Sequence, residues 1–165
     1  MKPYELVIDH EACWGCRTCE VACKQEFGTA TGVQLIYISE HSQDDDRGLP
    51  QFSYKVNLCR HCEDAPCVDG CPESAIHQRE DGIVILDDAQ CSGCQACLSA
   101  CPYDAIAFDE KNQVARKCNL CHNRVDNGLV PACADNVCLA HCIYFGDQQT
   151  VSQQRQKRLG RGDCD

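Results

Sequence analysis

Cysteine spacing constrains this chain more than any other feature. Eighteen of its 165 residues are cysteine. All but Cys164 fall into four groups. The first is Cys13, Cys16, Cys19 and Cys23 in "CWGCRTCEVAC". The second is Cys59, Cys62, Cys67 and Cys71 in "CRHCEDAPCVDGCP". The third is Cys91, Cys94, Cys97 and Cys101 in "CSGCQACLSACP". The fourth opens with Cys118 and Cys121 and closes with Cys133, Cys138 and Cys142 in "CADNVCLAHC". An offset of 78 residues lays the first group onto the third, and "LVID" before Cys13 onto "VILD" before Cys91. Self-similarity of this kind points to duplicated units.

Dense cysteine means a disulfide scaffold in a short secreted chain, and metal or redox chemistry in a cytosolic one. The opening "MKPYELVIDH" is an alternating, strand-like run without the pattern of a secretory signal. No stretch approaches the roughly 18 apolar residues of a membrane span. The expected compartment is therefore the cytoplasm, with reduced thiols. Zinc ribbons share the paired C-x2-C of the second and fourth groups. "CNLCH" at 118–122 also matches the pattern of c-type haem attachment. Neither accounts for the full C-x2-C-x2-C-x3-C-P of the third group, the spacing of bacterial [4Fe–4S] ferredoxins. Three thiolates on a tight loop cap three corners of a cubane. The fourth corner faces away and needs a distant thiolate, while the cysteine three residues on points to a neighbouring cube.

The sequence resembles the four-cluster polyferredoxin subunits of multisubunit oxidoreductases. The resemblance spans about residues 4–147 and is carried by "CWGCRTCEVAC", "CRHCEDAPCVDGCPESAI", "CSGCQACLSACPYDAIAFD" and "CNLCHNRVDNGLVPAC". It implies an α+β fold of two nested dicluster-ferredoxin-like units, with small β-hairpins and short helices around four clusters. The polyferredoxin domain would cover 1–147. Its outer unit is 1–26 plus 111–147, its hairpin insertion 27–58 and its inner unit 59–110; a basic tail follows at 148–165. The resemblance implies the ligand sets Cys13, Cys16, Cys19, Cys138 (cluster one); Cys23, Cys118, Cys121, Cys133 (cluster two); Cys59, Cys62, Cys67, Cys101 (cluster three); and Cys71, Cys91, Cys94, Cys97 (cluster four). The pattern departs from the family at Cys23, followed by Lys24 rather than Pro, and at Cys138, followed by Leu139. The gap between Cys133 and Cys138 is four residues, where three is usual.

One register question concerns the last ligand. "CPESAI" after Cys71 and "CPYDAI" after Cys101 align with "CLAHCI" after Cys138. Cys142 then lies over Ala75 and Ala105, a small apolar position where a free cysteine behaves as a small hydrophobe. Cys142 as the ligand in place of Cys138 remains the rival assignment.

The formal charge is -10, and four clusters take it to roughly -18. Backbone N–H nests relieve such charge. Arg60, Arg116, Lys117 and Arg124 lie near cluster cysteines in sequence and either add relief or are solvated. Trp14, inside the first loop, shields a cluster or anchors an interface. "VQLIYISE" and "QFSYKVNL" read as strands joined by the acidic loop "HSQDDDRGLP". The polar segment after Gly146 carries Arg155, Lys157, Arg158 and Arg161, and reads as a solvated tail or a docking tail for an acidic surface.

No catalytic constellation is visible, and His61 and His122 read as packing or N–H···S groups. The protein is expected to be a non-catalytic electron-transfer subunit. Its compact size and the opening "CWGCRTCEVACKQE" resemble the small subunits of tungsten-pterin aldehyde oxidoreductases and benzoyl-CoA reductases. That likeness implies a tungsten catalytic partner and a flavin subunit exchanging electrons with NAD. The alternatives are iron–sulfur subunits of DMSO reductase-family molybdenum enzymes or of formate hydrogenlyase-type complexes, a free polyferredoxin, and a self-associating chain. Nucleic-acid binding is not expected from so acidic a protein.

Overall fold

The computed structural model describes residues 4–134 and 136–159. Among the described residues eight strands form four separate antiparallel two-stranded ribbons, with four α-helices between strands and a fifth after the last. Strand β1 (Glu5–Ile8) pairs with β8 (Ile143–Gly146), so the segments just before Cys13 and just after Cys142 are joined. Ribbons β4 (Ile76–Gln78)–β5 (Val84–Leu86) and β6 (Ile106–Asp109)–β7 (Val114–Lys117) lie inside that closure in sequence. The helices are α1 (Thr18–Phe27), α2 (Pro66–Asp69), α3 (Ala96–Ala100), α4 (His122–Val125) and α5 (Gln148–Leu159). The fold is a small α+β one. Ribbons of three or four residues are not stable alone, and their buried faces pack on cysteine loops. One core gathers Ile36, Ile38, Val56 and Ile143 with Cys19, Cys23, Cys133, Cys138 and Cys142. Another gathers Ile76, Val84, Ile106 and Ala115 with Cys67 and Cys97. Among the described residues no helix is long and apolar enough to cross a membrane.

Helices α1 and α3 start alike and end differently. Cys101 is extended, with φ -81° and ψ 112°, because the Pro102 ring disfavours helical backbone in the residue before it. Helix α3 stops there. Cys23 is followed by Lys24, so α1 continues to Phe27 and ends on Gly28, a left-handed cap whose N–H reaches Lys24 O at 2.9 Å. The Lys24 ammonium donates to Ala30 O and Val33 O, each at 2.9 Å, and ties down the segment that enters the hairpin arm.

That arm is β2 (Ile36–Asp44) paired with β3 (Pro50–Leu58). Pairing runs through Asp44 and Pro50, so the reversal is only 45–49, shorter than the expected loop at 41–50. The physical reason is Asp45. Its carboxylate accepts the N–H groups of Arg47 and Leu49, each at 2.9 Å, and those bonds hold its acid below the usual carboxylate range. The acidic run closes a turn.

The C-terminal segment corrects the expectation of a tail. Residues 148–159 form α5, started by the Asp147 carboxylate accepting Thr150 N–H at 2.6 Å. Val151 is buried, and Arg158 donates to Asp9 at 2.7 Å on the closing end of β1. The segment has one buried anchor and no apolar stripe, so its helix is silent in hydrophobic periodicity. Arg155 and Lys157 stay exposed; Arg161 and Cys164 lie outside the described residues.

Candidate metal centres

None of the 17 described cysteines is in a disulfide. The first and third groups share one backbone. Gly15 (φ 69°) matches Gly93 (φ 74°), and Arg17 (φ 60°) matches Gln95 (φ 61°), both pairs 78 residues apart. Each loop then enters a helix, at Thr18 and Ala96. Such left-handed positions turn successive N–H groups toward one concavity, an anion nest. A side chain is crowded at both: a Cβ at Gly93 would lie 2.4 Å from Gln113 O, and one at Gly15 2.4 Å from the Tyr54 ring.

The second and fourth groups open alike, Cys59 and Cys62 lying 59 residues before Cys118 and Cys121. His61 (φ 46°) and Leu120 (φ 55°) occupy equivalent positions. Each N–H donates to the sulfur two residues earlier, Cys59 and Cys118, at 3.4 Å. Ala115 N–H donates to Cys91 Sγ at the same distance. The His61 ring instead accepts Val84 N–H at 3.0 Å, and His122 lies 3.9 Å from Asp126.

Tertiary structure brings distant thiols together in fours. One cavity is lined by Cys59, Cys62, Cys67 and Cys101. A second is lined by Cys71, Cys91, Cys94 and Cys97, and a third by Cys23, Cys118, Cys121 and Cys133. At the remaining group, Cys19 interacts with Cys138 and Cys16. Cys142 Sγ lies 3.4 Å from Cys138 Sγ and also interacts with Cys13. Five thiols therefore meet there. The four groups adjoin: Cys118 interacts with Cys59, Cys133 with Cys19, and Cys71, Cys91 and Cys97 share one core with Cys62, Cys67 and Cys101. Among the described residues no three His, Cys, Asp or Glu side chains close on one point as a single ion requires. The thiols ring small cavities, and thiolates in fours are the ligands of a multi-iron group.

The turn after Cys138 follows the inner turns. Ser74, Asp104 and His141, each three residues past a cysteine, have φ of 52°, 50° and 49°. Each N–H returns to the carbonyl of that cysteine, at 3.2, 3.5 and 2.9 Å. The next residues, Ala75, Ala105 and Cys142, are all buried. Ile76, Ile106 and Ile143 then open β4, β6 and β8.

Electrostatics says what such cavities accept. Burial pushes the thiols of Cys19 and Cys118 up to about 12 and that of Cys97 to about 11, with neighbouring thiols adding to the rise. Cys23 and Cys133 rise by the same causes. At exposed Cys16 the upward push of burial is outweighed by the Thr18 hydroxyl and by nearby backbone N–H groups, and the thiol falls. Buried thiolates in fours need cationic iron to be stable.

Of the four cations near the cysteines, three are engaged at the surface. Arg60 stacks on the Tyr103 ring at 4.0 Å. Arg116 pairs with Asp88 and lies 3.8 Å from Asp109. Arg124 donates to Val130 O at 2.8 Å and pairs with Glu26 at 3.3 Å. Lys117 alone is buried, which its position in "ARKC" does not announce. Trp14 is 65 % exposed.

Two family models, each described as a 4Fe-4S dicluster domain, match residues 12–76 and 50–148. The protein belongs to the 4Fe-4S dicluster ferredoxin family and carries four [4Fe–4S] clusters. Its curated relatives include a protein named as a dimethyl sulfoxide reductase iron–sulfur subunit and one named as a thiosulfate reductase electron transfer subunit. A component of the anaerobic dimethyl sulfoxide reductase of Escherichia coli K12 is 38 % identical, over 87 % of this chain and 73 % of its own length. A component of the tetrathionate reductase of Salmonella typhimurium is 38 % identical, over 87 % of this chain but only 58 % of its own length. The thiosulfate reductase electron transfer subunit of Salmonella typhi is 33 % identical, over 95 % and 88 %. None of these three is a tungsten enzyme subunit by name. The relatives favour the DMSO reductase alternative over the tungsten aldehyde oxidoreductase partner expected from size and the opening motif.

Proposed function

We propose that this protein is a wire of four clusters serving a large catalytic reductase subunit of the DMSO reductase class. When bound, each cluster takes up and releases electrons. The protein's part is to hold the thiolates, exclude water and set the spacing.

In this reading the outer and inner ferredoxin units nest, and each fourth cysteine crosses to the neighbouring set. Cluster four is held by Cys71, Cys91, Cys94 and Cys97, and cluster three by Cys59, Cys62, Cys67 and Cys101. Cluster two takes Cys23, Cys118, Cys121 and Cys133; cluster one takes Cys13, Cys16, Cys19 and Cys138. The observation that carries it is the lining of three cavities by cysteines from distant parts of the sequence. The turn shared by Cys71, Cys101 and Cys138 supports Cys138 as the last ligand and Cys142 as a packing residue. At the cluster-one end, exposed Trp14 and Leu139 flank exposed Cys16, and we assign the partner contact to that end. A cytoplasmic location is part of this reading, because cluster assembly requires reduced thiols.

Anaerobically purified protein is expected to hold about 16 Fe, four per cluster. A value near eight would sink the four-cluster reading. Co-purification of a large molybdenum-containing subunit is the expected partner result; a tungsten aldehyde oxidoreductase subunit with a flavin subunit would overturn the partner assignment.

A further inference from the structure

Lys117 ends β7, immediately before Cys118. The residue is 5 % exposed. Its ammonium donates to Val84 O at 2.5 Å and Cys118 O at 2.7 Å. Among the described residues no carboxylate lies within ion-pair distance of it. A buried ammonium is costly unless an opposite charge compensates it, and two carbonyls supply dipoles rather than charge. The groups it lies between are thiols: Val84, whose carbonyl it holds, lines the cavity of Cys59, Cys62, Cys67 and Cys101, and Cys118, whose carbonyl it also holds, lines the cavity of Cys23, Cys121 and Cys133. The loop itself does not demand a cation. The 59-residue offset that lays Cys118 on Cys59 lays Lys117 on Leu58, an apolar residue at the same point of an equivalent turn.

We propose that Lys117 is the counter-charge between clusters two and three, raising the reduction potentials of both and easing their mutual repulsion. This rests on the ligand sets of the proposed function. A fixed positive charge at the junction stabilises the extra negative charge of whichever neighbour is reduced. It therefore acts on two clusters and leaves the more distant clusters one and four little changed. The side chain works through space on groups that Cys67 and Cys118 hold, and is a positioning residue for charge.

The test is a reductive titration of the complete, cluster-loaded protein, followed by electron paramagnetic resonance, for wild type, Lys117→Met and Lys117→Arg. Methionine keeps the stem length and removes the charge. In Lys117→Met the reduction equilibrium of two clusters is expected to fall at least tenfold, 59 mV for one electron. The two that move are those whose signals Cys67→Ser and Cys118→Ser perturb. Lys117→Arg is expected to stay within threefold of wild type. Unchanged midpoints in a Lys117→Met protein with full iron would overturn the proposal, as would an equal shift of all four clusters. If Lys117→Met loses iron, retention by Lys117→Arg is the expected companion result; loss in both assigns the residue to packing and sinks the idea. Wild-type iron near eight would instead strike the underlying four-cluster reading.

Discussion

The segments after Cys101 and Cys23 begin from the same loop and part within one residue. After Cys101, Pro102 forces extended backbone and the chain turns straight into β6. After Cys23, Lys24 continues the helix and sends the chain out into the β2–β3 arm. The segment after Cys138 is a third case. It has Leu139 where the inner turns have Pro, yet its left-handed residue, carbonyl contact and following strand match theirs. Proline is therefore dispensable for the turn itself. What it decides is whether a preceding helix ends.

The largest expected effect tests the third case. Cys138→Ala should lose one cluster, lowering iron from about 16 to about 12 per molecule, while Cys142→Ala keeps the full complement. The opposite pattern would put Cys142 in the ligand role and break the likeness of the three turns. Next, Lys24→Pro should impose the inner behaviour on α1. It removes a helical N–H, crowds the preceding turn and discards the Lys24 tethers, costing about 3 kcal/mol or more. The readout is the temperature at which cluster absorbance bleaches; an unchanged midpoint would show that α1 does not depend on continuing past Cys23.

The two equivalent glycines sharpen the comparison of the loops. Gly93→Ala meets a backbone carbonyl, whereas Gly15→Ala meets the displaceable Tyr54 ring. Both replacements strain a left-handed position. Expected losses are about 2–3 kcal/mol at Gly93 and about 1–2 at Gly15, measured by the same bleaching midpoint. Equal losses would mean that positive φ alone sets the cost.

The smallest effect belongs to the pair joining the inner hairpin to α4, Arg79 with Asp126 at 2.7 Å. The hydrogen bond from Arg79 holds the Asp126 acid below its ordinary value. A depressed carboxylate contributes stability that is full above its unfolded pKa and lost as pH falls through its folded one. Asp126→Asn should therefore matter slightly at neutral pH, less in high salt, and not at all once both forms are protonated. A difference that persists in acid would point to a cause other than this ion pair.

The cluster loops were legible because their chemistry is local. Thiol spacing within a dozen residues determines which three cysteines share a loop, and the 78-residue repeat extends that reading to Gly15, Gly93, Arg17 and Gln95. The hairpin arm was legible from its strands, but its turn was drawn too long because Asp45 closes it through backbone N–H groups. Helix α5 was missed because its stability comes from Val151 and the Arg158–Asp9 contact, both tertiary. Lys117 was legible only as a cation near a cysteine, one of four.

By itself the sequence determined four iron–sulfur loops and their duplication, since these follow from residue type and short spacing. Only tertiary structure decided which distant thiols meet, that a fifth thiol, Cys142, packs against Cys138, and that Lys117 is the interior cation. Those facts depend on chain reversals closed by β1 against β8, and no local spacing encodes where a reversed segment returns.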